Sequence, residues 1–217
     1  MSFSPQLSIL PAPQRLLWKE LHEVPSEFIL YGGTAIALHL GHRTSIDFDF
    51  FAFQSFDTMA LYNEIPFLAD SQIIQQAKNT LTCRVDRAGA VKVSFFGLPR
   101  IHGIEPAHIA ENGLKIASLI DLAGMKAAVV QQRPESKDYI DIDAIIGHGI
   151  SLSTALAAAK AIYGQSFNPQ ITLKALSYFG EGDLEKLPQA VKERIIKAVD
   201  GVDLDNLPTL KNAGNPQ

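Results

Sequence analysis

Asp47 and Asp49 stand two residues apart in the run Ser45-Ile46-Asp47-Phe48-Asp49-Phe50, and Gly32-Gly33-Thr34 lies a short helical run upstream. On a strand, residues two apart project from the same face. The spacing therefore points both carboxylates one way and predicts Ile46, Phe48 and Phe50 packed behind them. Two convergent carboxylates suit Mg²⁺, which takes oxygen ligands and works alongside substrate phosphates. A glycine turn that opens a helix offers backbone N–H groups as a seat for phosphate. Aspartate is disfavoured in strands unless something compensates, and two on one face repel each other without a cation. Together the two segments predict half of a phosphoryl-transfer site.

The elements that must hold these residues follow from the apolar pattern. Gln14 to Glu23 reads as an amphipathic helix with Leu16, Leu17 and Leu21 as its stripe. Glu27 to Tyr31 reads as a buried strand that exits at Gly32-Gly33. Thr34 to Leu40 reads as a helix stopped by Gly41, Ser45 to Phe53 as the aspartate strand, and Phe56 to Leu68 as a further helix. Thr80 to Arg87 and Val91 to Phe96 alternate, and Ala88-Gly89 between them predicts a hairpin. After about Gly113 the chain turns helical: Ile116 to Gln132, then Lys137 to Ile146 with Ser136 as N-cap. An alanine- and leucine-rich remainder holds about three more helices. The fold class expected is α/β (α+β), with an α/β core over 1–112 and a helical domain over 113–217.

Composition removes several function classes. A net charge of −4 over 217 residues argues against a generally basic nucleic-acid coat. The single cysteine, Cys83, excludes an internal disulfide framework and a cysteine-based zinc site, and its apolar neighbours predict a buried thiol. No apolar stretch approaches the roughly 20 residues that span a bilayer, and no signal segment is visible at the N-terminus, so a cytoplasmic protein without a membrane partner is expected. The histidines show no metalloprotease spacing, and neither a nucleophile elbow nor a Walker phosphate loop occurs.

Gly32-Gly33-Thr34, Arg43-Thr44-Ser45 and Asp47-Phe48-Asp49 resemble the polymerase-β-like nucleotidyltransferase superfamily, and within it the AbiEii/AbiGii toxins of type IV toxin–antitoxin systems. Leu119-Ile-Asp-Leu-Ala-Gly-Met-Lys126, followed by Arg133 and Lys137-Asp138-Tyr139-Ile140-Asp141-Ile142, is similar to that family's lysine helix and its basic–Asp–x–x–Asp motif. The resemblance runs from about Phe28 to Gly147. It implies a nucleotidyltransferase core with a mixed sheet, in which Asp47 and Asp49 hold metal, two Mg²⁺ ions being expected. Gly32, Gly33, Thr34, Ser45 and Lys126 would serve the nucleotide, and Asp138 would complete or brace the catalytic site. The plain readings stay open beside these: Lys126 as a solvated helix charge, and Asp138 and Asp141 as helix-start electrostatics.

One position departs from the superfamily pattern. A third carboxylate is expected on a later strand, and Val93-Ser94-Phe95 puts serine there. Serine is a poor base or metal ligand in place of a carboxylate; Asp86 and Asp138 are the alternatives. Lys78, Arg84, Arg87, Lys92 and Arg100 gather on or beside the hairpin, where they could follow a phosphate backbone or form a solvated sheet face. The function expected is Mg-dependent transfer of a nucleoside monophosphate from an NTP to an RNA acceptor (a tRNA included) or a protein acceptor, by a toxin with a cognate antitoxin. The alternative is a catalytically weakened relative that binds a nucleotide or a partner.

Overall fold

The computed structural model describes residues 3–212. The chain divides into two compact units: residues up to Ile101 together with Pro106–Ala117, and His102–Glu105 together with the chain from Ser118 onward.

The first unit contains α1 (Ala12–Trp18), β1 (Ile29–Tyr31), α2 (Gly32–Leu40), β2 (Asp47–Ala52), α3 (Thr58–Glu64), β3 (Gln72–Ala77), β4 (Thr80–Asp86), β5 (Ala90–Gly97), β6 (His108–Ile109) and β7 (Lys115–Ile116). Its strands form a seven-stranded mixed sheet in the order β3-β4-β5-β2-β1-β7-β6. The aspartate strand β2 runs antiparallel to β1 and parallel to β5, so it sits in the middle of the sheet. Period-two alternation explains its burial. Phe48, Phe50 and Ala52 are fully buried, while Asp47, Asp49 and Phe51 are partly exposed on the opposite face. The Phe50 ring stacks on Phe95 of β5 with centroids 5.2 Å apart. Leu81, Cys83 and Val85 of β4 continue the same apolar layer. Cys83 is the inert buried thiol expected from its neighbours, its pKa pushed up by desolvation.

Several boundaries shift for identifiable reasons. Ile46 lies before β2 begins and is 56% exposed, so Phe48 and Phe50, not Ile46, form the backing of the aspartates. Helix α1 stops at Trp18, leaving Leu21–Glu23 as a separate 3₁₀ turn, and Leu16 faces solvent while Leu17, Trp18 and Leu21 are buried. Asp57 accepts from the Met59 and Ala60 amides and starts α3 two residues late, and Pro66 confines the end of the expected helix to a 3₁₀ turn at Pro66–Leu68. Lys115–Ile116, expected in a helix, form β7 beside β1, and the helix begins at Leu119 once Ser118 caps it. The hairpin forms as expected, β4 against β5, with Ala88 and Gly89 both at positive φ in the turn.

The second unit contains α4 (Leu119–Val129), α5 (Ser136–Gly147), α6 (Leu152–Tyr163), α7 (Pro169–Leu176) and α8 (Gln189–Asp200). Among the described residues no single helix is long and apolar enough to cross a membrane. Gly124 lets α4 meet α6 backbone to backbone. A Cβ there would lie 2.8 Å from the Ala158 carbonyl carbon and the Ala159 nitrogen, a contact that two rigid helices cannot relieve locally. Gly124→Val is therefore expected to lower stability by about 1–3 kcal/mol through overpacking, seen as a lower urea midpoint with an unchanged slope. An unchanged midpoint would show that the two helices can separate at no cost.

Candidate active site

The two strand aspartates meet different neighbours. Asp49 lies opposite Tyr31 in the β1–β2 register, one residue before the turn into α2. Gly32 sits at φ +71°, and a Cβ on it would come 3.0 Å from Asp49 Oδ2. The left-handed backbone favours glycine here, and any side chain would press on the carboxylate, which would have to give by a few tenths of an ångström. The result is an acid beside the N-terminal turn of a helix. That turn receives no side-chain cap from Tyr31 and contains no acidic residue. Its amides and the helix dipole favour negative charge nearby.

Asp47 faces a protein cation. It pairs in register with Lys92 of β5, and Lys92 Nζ stands 3.0 Å from Asp47 Oδ2. The two aspartates are expected to repel each other without a cation, and a neighbouring strand supplies one to Asp47. Lys92 is also one of the basic residues that gather on the hairpin. Its parity with Ser94 on an alternating strand is the signal that places it on the aspartate face.

Thr34 and Ser45 turn inward. Thr34 is 2% exposed; its hydroxyl donates to the Asp47 carbonyl oxygen and shares a 2.7 Å hydrogen bond with Ser45 Oγ. These two side chains were expected to serve a nucleotide directly. In the structure they form a latch that ties the first turn of α2 to the start of β2. Gly32 and Gly33 open that helix, and Gly33 stays partly exposed.

Ser94 is in register with Asp49 and shares its face, as the alternation of β5 requires. Val91, Val93 and Phe95 take the opposite, buried face. The third acidic slot thus holds a hydroxyl, 2% exposed, beside Asp49. Asp86, one alternative source of the third carboxylate, lies exposed at the far end of β4, opposite Ala90. Among the described residues no group of three or more His, Cys, Asp or Glu converges as a metal site. Two carboxylates still fit Mg²⁺, which is commonly held by one or two carboxylates with water and substrate phosphates completing its octahedron.

The second unit carries its own charged cluster. Lys126 of α4 is 6% exposed, and its Nζ reaches Asp138 Oδ1 at 2.8 Å and Asp141 Oδ2 at 3.0 Å on α5. Arg133 Nε donates to Asp138 Oδ2 at 2.9 Å. The solvated reading of Lys126 is therefore excluded, and Asp138 and Asp141 serve this lysine rather than only the start of their helix. Ser136 does not cap α5. It is the first helical residue, and both its amide and its hydroxyl donate to Asp183, at 2.7 and 2.6 Å. These bonds hold the Asp183 carboxyl below its ordinary pKa. Asp121, on the lysine helix, carries no role in the expected site. It is fully buried and accepts from the Ile104 and Glu105 amides at 2.7 and 3.0 Å and from the Ser118 hydroxyl at 2.6 Å.

Comparison with known proteins bears on this arrangement. The family model for the nucleotidyl transferase AbiEii toxin of type IV TA systems matches residues 15–214. An uncharacterized protein of Aquifex aeolicus (strain VF5) is 32% identical over 177 residues, covering 77% of this chain and 84% of that protein. A nucleotidyltransferase candidate from H. pylori has a similar structure, with a TM-score of 0.54 at 17% identity over 86% of this chain and 90% of the other. MenT4, a nucleotidyltransferase toxin from Mycobacterium tuberculosis H37Rv, gives a TM-score of 0.58 at 14% identity over 87% and 83% of the two chains. At such identities the two structures speak for the fold.

Two outcomes follow from this geometry. Lys126→Ala leaves Asp138 and Asp141 buried without their ammonium partner, and is expected to cost about 3–5 kcal/mol in chemical denaturation. A loss below about 1 kcal/mol would mean that water solvates the cluster. Ser94→Asp is expected to move two quantities in opposite directions. Stability without metal should fall by about 1–3 kcal/mol, because a buried charge is added beside Asp49. Divalent-ion affinity measured by calorimetry should rise, because a third charged oxygen joins the face. Unchanged metal affinity would place Ser94 outside the metal's reach.

Proposed function

Because the chain belongs to the AbiEii nucleotidyltransferase toxin family, whose model matches residues 15–214, we propose that it moves a nucleoside monophosphate from an NTP onto a hydroxyl of an RNA (a tRNA included) or of a protein. The observation that carries this reading is the placement of Asp47 and Asp49 on one face of β2, with Asp49 against the Gly32 turn that opens α2.

In this reading the acceptor hydroxyl gives up its proton to solvent as its oxygen bonds to the α-phosphorus, the bond from that phosphorus to the bridging oxygen breaks, and pyrophosphate leaves. Mg²⁺, bound as one or two ions, would neutralise phosphate charge and stabilise the attacking and leaving oxygens. Asp47 and Asp49 would hold the metal. The amides of the α2 N-terminus, around Gly32 and Gly33, would seat phosphate oxygens. Thr34 and Ser45 act one step back, since their latch fixes the distance between that turn and the strand carrying the acids. Lys126 and Asp138 keep the nucleotide-serving and bracing roles that the resemblance implies as part of the proposal, beside their observed ion pairs. A cognate antitoxin would be the natural protein partner of such a toxin.

A second reading, a nucleotide- or partner-binding module without turnover, is favoured by Ser94 in the third acidic slot and by Lys92 on Asp47. Incubating the purified chain with each labelled NTP and total RNA, with and without Mg²⁺, separates the two. Metal-dependent labelling of RNA is expected, and it should fall in Asp49→Asn by at least the roughly 10–100-fold seen when even the groups that orient a metal's ligands are removed. NTP binding without labelling of RNA or protein would favour the module. Labelling unaffected by Asp49→Asn would contradict the assigned site.

A further inference from the structure

The two aspartates of β2 differ in what β5 sets beside them. Asp49 has Ser94, whereas Asp47 has Lys92, held 3.0 Å away. Residues in register across a ladder lie on the same face of a sheet, so the Lys92 ammonium occupies the side on which Asp47 would meet a metal. The pair is reachable from solvent: the Lys92 side chain is 45% exposed and that of Asp47 33%. Arg84 of β4 is in register with Lys92 and places a second cation in the same row. On the side that β5 lines, the face therefore sets a lysine against Asp47 and a neutral serine, in the third acidic slot, beside Asp49.

A bare divalent ion meets two penalties here. It must break the Lys92–Asp47 pair, and it must then sit close to the ammonium it displaced. A metal already carried by a triphosphate meets neither in full, because the phosphate oxygens give the released ammonium a new partner. Lysine suits such an exchange, being a compact charge on a flexible four-carbon stem.

We propose that Lys92 is a resident counter-ion that makes metal loading depend on the nucleotide: it holds Asp47 in the free protein and turns to the phosphates when a metal–NTP complex docks. The proposal rests on the reading of Asp47 and Asp49 as the metal-holding pair. Lys92 is then a positioning residue whose effect lies in the coupling between two ligands. By linkage, whatever factor the nucleotide adds to metal affinity, the metal adds to nucleotide affinity. Lys92 enlarges that factor by weakening the metal-only state.

The test is a Mn²⁺ titration of the full chain, followed by the paramagnetic signal of the free ion, with and without a non-hydrolysable NTP analogue. Lys92→Gln should bind Mn²⁺ alone roughly threefold more tightly or better, the scale set by losing one exposed ion pair. It should also gain less from the nucleotide than the wild type does. Lys92→Met, which keeps the apolar stem, serves as the second variant, and circular dichroism confirms that both fold. Equal or weaker Mn²⁺ binding in both variants, with binding abolished in Asp49→Asn, overturns the role of Lys92 and leaves the metal site standing. Mn²⁺ binding that survives intact in both Asp47→Asn and Asp49→Asn overturns the metal site itself.

Discussion

The contact between Asp49 and Gly32 is the constraint on which the functional face depends. A strand delivers a carboxylate to the point where the chain leaves β1 and enters α2, and a left-handed glycine lets the turn pass that close without crowding it. The Thr34–Ser45 latch, with its bond to the Asp47 carbonyl, prevents helix and strand from drifting apart. A carboxylate beside a helix N-terminus is comfortable by itself. A phosphate brought to the same place would repel it unless a cation stood between them. Under the proposed function, a metal would be the cation that lets an acid and a phosphate share so small a space.

The second unit solves a different electrostatic problem. Lys126, Asp138 and Asp141 are nearly without solvent, a state that costs several kcal/mol per ion and is repaid only by good pairing. Two carboxylates around one ammonium would leave excess negative charge, and Arg133, itself partly exposed, relieves it by pairing with the buried Asp138. Asp121 and Asp183 show the same economy on a smaller scale, each satisfying backbone amides far from it in sequence. Asp121, Lys126, Asp138 and Asp141 are internal fasteners. An alanine substitution at any of these four is expected to perturb folding before it reports on chemistry.

Much of the aspartate face was legible because alternation is a local rule. The same rule that put Asp47 and Asp49 together also put Ser94 opposite Val93 and Phe95, and it would have put Lys92 beside Ser94 had it been carried two residues further. Strand β3 left no such trace. Gln-Ile-Ile-Gln-Gln-Ala is an edge strand, exposed along nearly its whole length and broken by a register shift, so no apolar period marks it. β6 and β7 are two residues each, too short for any pattern. The burial of Lys126 was hidden because its partners lie on another helix, and a helix charge looks the same in sequence whether it meets water or two carboxylates. The cap on α5 was hidden for the same reason, since Asp183 lies 47 residues from Ser136.

The central claim is that Asp47, Asp49 and the N-terminus of α2 together receive a metal-bound triphosphate. It is tested most directly by crystallising the protein with Mn²⁺ and a non-hydrolysable NTP and locating the metal by its anomalous scattering. The account predicts an anomalous peak bridging Asp47 and Asp49, phosphate oxygens on the amides around Gly32 and Gly33, and Lys92 turned away from Asp47. A nucleotide bound with its metal elsewhere, and Lys92 still on Asp47, would contradict it.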